Sequence, residues 1–284
     1  MEEKYFFVKV EGNPPAFKRK IILENSIGQE LKDIIAKSGG LIDLFRNFVI
    51  VDQSLHHLED WCNDPAQLTA SEFDNIDKAS SLCRAYLHEY KTCIDHMTAF
   101  LTHERSEQEL NDFKNKIADI KLNEPEYQTT IQIRNYLQHS SEVVHFVDKN
   151  ESEKNVRPLL MPKKLKPYGT NKWTEFRCIN AHPDSVDLLS LFIRAYELLE
   201  MSFEPIVNDF IGSDNMGGDL VYLRDYFRKV VTSYDGNMDS LRSWEFAIWN
   251  NGNYETRMYH WPSLLELAKR LTINGTGTSP DNSH

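Results

Sequence analysis

Between Leu41 and Val147 the apolar residues recur at intervals of three and four, and this spacing constrains the fold more than any other feature. Leu41, Leu44, Phe45, Phe48, Val51, Leu55, Leu58 and Trp61 form one stripe, closed near Asn63-Asp64-Pro65. A longer stripe joins Phe73, Ile76, Cys83, Tyr86, Leu87, Tyr90, Cys93, Ile94, Met97, Phe100 and Leu101, with Ser71 and Glu72 at its start. A shorter one passes through Leu110, Phe113, Ile117 and Ile120. Asn123-Glu124-Pro125 then reads as cap and first turn, where a helix tolerates proline, and the helix it opens is expected to reach about Val147. Each stripe must be buried against a neighbour, so four helices with short links predict an antiparallel bundle.

The flanks read differently. Lys4–Val10 and Phe17–Leu23 are rich in Phe, Val and Ile, and Gly12-Asn13-Pro14-Pro15 separates them, which predicts a β-hairpin with a loop longer than two residues. Pro158, Pro162, Pro167 and Gly169 interrupt residues 149–183, which read as an irregular linker with a short strand over Trp173–Ile179. Asp184 or Ser185 is expected to cap a further helix carrying Val186, Leu189, Phe192, Ile193, Tyr196, Leu199 and Phe203. Helices are also expected over 217–232, 238–249 and 262–272. The fold class is therefore mainly α: a β-hairpin (1–24), a helical bundle (25–148), a basic linker (149–183), a C-terminal helical region (184–273) and a disordered tail (274–284).

With 32 basic and 43 acidic side chains the net charge is 32 − 43 = −11. That charge argues against a protein that coats nucleic acid non-specifically, but not against a local basic site. The opening MEEKYFFVKV does not read as a secretory leader, and no apolar run approaches the ~20 residues of a membrane helix. These features predict a cytoplasmic protein with no membrane partner. Cys62, Cys83, Cys93 and Cys178 are then expected to be reduced thiols.

The chemistry-bearing segment is Arg134-Asn135-Tyr136-Leu137-Gln138-His139. A histidine gives or takes a proton near neutral pH, and an arginine places two donors on phosphoryl oxygens. RNA carries its own nucleophile, the 2′-hydroxyl, so these side chains suit phosphodiester cleavage with no cofactor and no metal ligand set. Here the sequence resembles the HEPN superfamily, whose ribonucleases share an R-polar-x-x-x-H signature inside a helical bundle. The resemblance covers roughly residues 41–148, and Ser141 stands where one common form of the motif has tyrosine. It implies a metal-independent endoribonuclease that leaves a 2′,3′-cyclic phosphate and a 5′-hydroxyl. His139 would be the general acid/base, Arg134 the transition-state clamp, and Asn135 would orient the phosphate or the histidine. A toxin or defence role, with an inhibitor or antitoxin partner, would follow by the same analogy.

Geometry adds a condition. Five residues on a straight helix turn through about 500°, which leaves Arg134 and His139 ~140° apart. Either Arg134 reaches around the helix, or a second protomer supplies the facing groups; the resemblance implies the second case, so the reading includes a homodimer with a composite site. The alternatives are a non-catalytic bundle acting as a binding or scaffold module and, with less in its favour, a metal-binding bundle.

Other constellations carry less. Arg177-Cys178-Ile179-Asn180-Ala181-His182 repeats the spacing but lacks a polar residue after Arg and runs into Pro183. Glu142-x-x-His145 has di-iron spacing but no second copy. His145 reads as structural or as a polar neighbour of Arg134, and His56, His57, His88, His96 and His103 as structural. Lys154, Arg157, Lys163, Lys164, Lys166 and Lys172 span a stretch without an acidic residue, either an RNA-guiding surface or a solvated loop. Trp244, Phe246, Trp249, Tyr254, Tyr259 and Trp261 read as core before they read as a base-stacking surface. Phosphate-loop, dinucleotide and nucleophile-elbow signatures are absent from the sequence.

Overall fold

The computed structural model describes residues 4–11, 16–104, 107–138, 142–165, 179, 181–182, 184–212, 216–235, 244–250 and 253–257. The protein is mainly helical with two small antiparallel sheets. The helices are α1 (Asn25–Cys62), α2 (Glu72–Glu104), α3 (Glu107–Asn123), α4 (Pro125–Leu137), α5 (Leu188–Gly212) and α6 (Met216–Asp235). The strands are β1 (Lys4–Glu11), β2 (Ala16–Ile22), β3 (Phe146–Asn150), β4 (Asn155–Leu160), β5 (Val186–Asp187), β6 (Trp244–Asn250) and β7 (Asn253–Arg257). The chain divides into two units: Met1–Arg46 with Ile206–His284, and Asn47–Pro205.

In the first unit the sheet order is β2-β1-β6-β7, so the two hairpins meet through the antiparallel β1–β6 pair. Phe7 places its ring 5.0 Å from Phe227 of α6, edge to face, and 6.1 Å from Phe246. Phe6, Val8 and Ala247 form a separate cluster with Trp249 packed against it. The Tyr5 hydroxyl donates to Gln29 Oε1 of α1 at 2.6 Å. Gly28 permits this approach, because a Cβ there would overlap Cβ and the ring of Tyr5. The Tyr222 hydroxyl of α6 reaches Glu30 of α1 at 3.1 Å.

In the second unit α2, α3 and α4 pack against one another. Phe48 stacks on Phe203 with centroids 4.6 Å apart, and Tyr86 stacks on Phe192 at 4.7 Å. The buried hydroxyls of Tyr86 and Tyr90 donate to the carbonyls of Phe192 and Ala195, so these two large rings enter the core without leaving an orphaned donor. Beside the helices lies the sheet β3-β4-β5. Lys149 on β3 donates to the carbonyls of Leu68 and Ala70, fixing the hairpin to the turn between α1 and α2.

All eight residues of the stripe from Leu41 to Trp61 are buried. The helix that bears them starts earlier, at Asn25, with Leu31, Ile34 and Ile35 continuing the buried face through Gly39 and Gly40. Ser71 caps α2 as expected, accepting from the Asp74 amide and donating to its carboxylate. Phe73, expected in the core, is 79% exposed.

Four expectations are corrected. The helix opened by Pro125 ends at Leu137 rather than near Val147, and Phe146–Asn150 is a strand. Val143, Val144 and Val147 are β-branched, and pairing of β3 with β4 provides a partner that helical periodicity does not reveal. Within the expected linker, Asn155–Leu160 is β4, with Pro158 beside but outside the short ladder to β5, which pairs only with Leu159 and Leu160. The cap of α5 is Asp187, which accepts from the amides of Leu189 and Ser190, while Asp184 binds Lys163. Within the expected C-terminal helical region, Trp244–Asn250 is a strand rather than part of a helix over 238–249. Trp244, Phe246 and Ile248 alternate along it, and it pairs with β1 and β7. The expected strand over Trp173–Ile179, except Ile179, lies outside the described residues, as do the helix over 262–272 and the tail 274–284.

Candidate functional site

Pro125 stands at the first position of α4, where its missing N–H is no loss. Tyr127, Thr129, Thr130, Ile133 and Tyr136 are buried, which turns Arg134 partly outward. Arg134, Leu137 and Gln138 share one face at the C-terminal end of this helix. They line an open depression of about 240 Å³ together with Arg84, Leu87 and His88 of α2. Arg84 and His88 are four residues apart on α2 and both exposed, whereas Leu87 between them is buried.

The depression is cationic. Among the described residues its lining holds two guanidinium groups and an imidazole and no carboxylate. Arg134 Nη1 donates to Oδ1 of the neighbouring Asn135 in a long hydrogen bond of 3.4 Å. Arg134 lies in the last turn of α4, where the exposed carbonyl end of the helix favours positive charge.

Of the sequence-derived site residues, Arg134 lines this depression and Asn135 lies beside it through that bond. His139 lies outside the described residues. The helix that carries Arg134 ends at Leu137.

The basic stretch does not join Arg134. Lys154 is exposed in the β3–β4 turn and has a positive φ of 55°. Arg157 donates to the Val156 carbonyl and lies 3.9 Å from Asp187. Lys163 is 2.7 Å from Asp184. Lys164 is exposed and acts on His145, while Lys166 and Lys172 lie outside the described residues. None of the described ones lines the depression around Arg134.

His145 has a structural task. Its Nδ1 accepts the Met161 amide at 3.1 Å, and its own amide donates to Leu159. Burial first, and then the positive charge of Lys164, hold its pKa below the ordinary 6.5, with Glu142 acting in the opposite direction. Among the other histidines, His56 Nδ1 contacts the Asp52 carbonyl and His96 Nδ1 contacts Asn47. His88 differs from these, since it borders the depression with two arginines. Its signal in the sequence is the Arg84–His88 spacing on α2, which acquires meaning only when α4 is laid against that helix.

No family model, no curated protein and no solved structure matches this chain.

A second depression, about 420 Å³, contains His182 from the other Arg-His spacing, with Glu126, Asp187, Ser190 and Arg194. Two of its charged groups are engaged elsewhere: Arg194 binds Glu197 at 2.9 Å and Glu124 at 3.4 Å, and Asp187 caps α5. Among the described residues, no group of three or more His, Cys, Asp or Glu is placed to hold a metal ion, and no helix is long and apolar enough to cross a membrane.

Proposed function

We propose that this chain is a metal-independent endoribonuclease of HEPN type, acting at the C-terminal end of α4 in the cytoplasm. The observation that supports it is the position of Arg134 in a cationic depression with Arg84 and His88. Charge building on a phosphodiester in the transition state is best met by donors already in place, and a guanidinium offers two in one plane.

In this reading the 2′-hydroxyl gives up its proton to an imidazole, O2′ bonds to phosphorus, and the P–O5′ bond breaks. The departing O5′ takes a proton, leaving a 2′,3′-cyclic phosphate and a 5′-hydroxyl. His139 is the proton-transferring group by resemblance, Arg134 steadies the phosphoryl oxygens, and Asn135 orients Arg134 through its amide oxygen. The case for a second protomer rests on the resemblance. A toxin or defence role, and an inhibitor partner, belong to the same analogy.

The test is product chemistry. An RNA oligonucleotide should yield a cyclic-phosphate end and a 5′-hydroxyl end, and a single 2′-deoxy substitution at the cut site should abolish cleavage there. Cleavage that tolerates the deoxy substitution would refute the mechanism.

A further inference from the structure

We infer that Arg84, His88 and Arg134 together form a binding site for one phosphate group, supplied by an RNA backbone. The choice of RNA as the source rests on the nuclease reading above, but the site does not. Two helices build it. α2 contributes Arg84 and His88 from one face, and α4 contributes Arg134 from its last turn.

Several other cations of the chain are neutralised by a carboxylate. Lys163 is paired with Asp184, Arg194 with Glu124 and Glu197, and Arg224 with Asp225. The chain carries 43 acidic side chains against 32 basic ones, so carboxylates are plentiful. Among the described residues, no ion pair is formed by Arg84 or Arg134 and no carboxylate lines the depression they share. Two guanidinium groups bordering one hollow repel each other unless an anion lies between them.

The ligand class follows from the donors. Two forked guanidinium groups and an imidazole N–H, drawn from two helices, suit an anion with several oxygens pointing in different directions, which a tetrahedral phosphate has and a planar carboxylate lacks. The volume, about 240 Å³, accommodates a phosphate and part of its sugar. Its open side lets a chain continue in both directions. Leu87 and Leu137 supply an apolar wall, which raises the value of each charged hydrogen bond by excluding some water.

The test follows the ring signals of His88 by NMR in the full chain, assigned by their loss in His88→Gln. Two probes are titrated: inorganic phosphate, and a 2′-O-methyl RNA oligonucleotide that cannot be cut. Phosphate should shift the His88 signals saturably, and Arg84→Gln or Arg134→Gln should each weaken that binding by about tenfold. Arg84 is exposed, so Arg84→Gln should keep the circular dichroism of the parent. Displacement of phosphate by the oligonucleotide supports RNA as the source. Phosphate binding without displacement overturns RNA as the source and removes support from the nuclease reading, while the phosphate site stands. His88 signals that respond to neither probe, or that respond equally in both arginine variants, overturn the site itself.

Discussion

Lys116 of α3 donates from Nζ to the carbonyl oxygen of Met201 in α5, at 2.7 Å. Met201 lies four residues before Pro205, which has no N–H to return to it. The lysine thus takes the place of the missing helical donor, and a proline inside a long helix becomes a point of attachment for α3. Lys116→Met should destabilise the protein by about 1 kcal/mol in denaturant unfolding. Pro205→Ala should restore the backbone bond and remove most of that cost in the double variant. An unchanged cost in the Pro205→Ala background would show that Lys116 acts by other means.

Gly28 gives a prediction whose sign opposes helix propensity. Alanine in place of glycine in a helix interior normally stabilises by up to about 1 kcal/mol. At this position the new Cβ would meet Tyr5, whose ring and Cβ already occupy the space. Gly28→Ala should therefore lower stability by about 2 kcal/mol or more, and Tyr5→Ala should remove the incompatibility though not its own cost. Thermal unfolding of the two single variants and the pair measures the coupling.

How far the sequence reaches is shown by particular elements. The stripe from Leu41 to Trp61 is legible because a helix buries residues by local spacing alone, and all eight are buried. The start of α1 at Asn25 is hidden by Gly39-Gly40, a weak pair inside a helix that tertiary packing overrides. β3 and β6 escape the periodicity for a different reason. Their partners are β4 and β1, and strand pairing with β1 is set by residues more than two hundred positions away. The hairpin signal Asn251-Gly252 stands in the sequence, but without a known partner strand it reads only as a break. At the site, Arg134 is found from its spacing with His139, while Arg84 and His88 are not. A cationic hollow between two helices is a property of their packing, and neither helix shows it alone.

His145 predicts a pH dependence. Its folded pKa lies below the ordinary 6.5, so near and below that pH the unfolded chain binds a proton more readily than the folded one. The stability tied to the neutral ring is full above 6.5 and is lost as pH falls through the folded value. The denaturant midpoint should fall as pH drops below the ordinary 6.5, and the fall should be smaller in His145→Gln. An identical fall in the variant would place the titration elsewhere.

Burial also silences the thiols. Cys62, Cys83 and Cys93 are free and buried, and desolvation pushes Cys62 and Cys93 up to about 12 and Cys83 higher still. These three should resist alkylation at about pH 8 in the native protein and react fully after denaturation. Peptide mass mapping distinguishes them, and rapid native labelling of any one would contradict its place in the core.

The central claim is that groups at the end of α4 cleave RNA without a metal ion. Its most direct measurement is incubation of the purified full chain with a mixed-sequence transcript in excess EDTA, alongside Arg134→Ala and His139→Ala. The account predicts cleavage by the parent chain and a loss of about a hundredfold or more in each variant, with circular dichroism unchanged. A transcript left intact by the parent chain, or cut equally by all three, would contradict it.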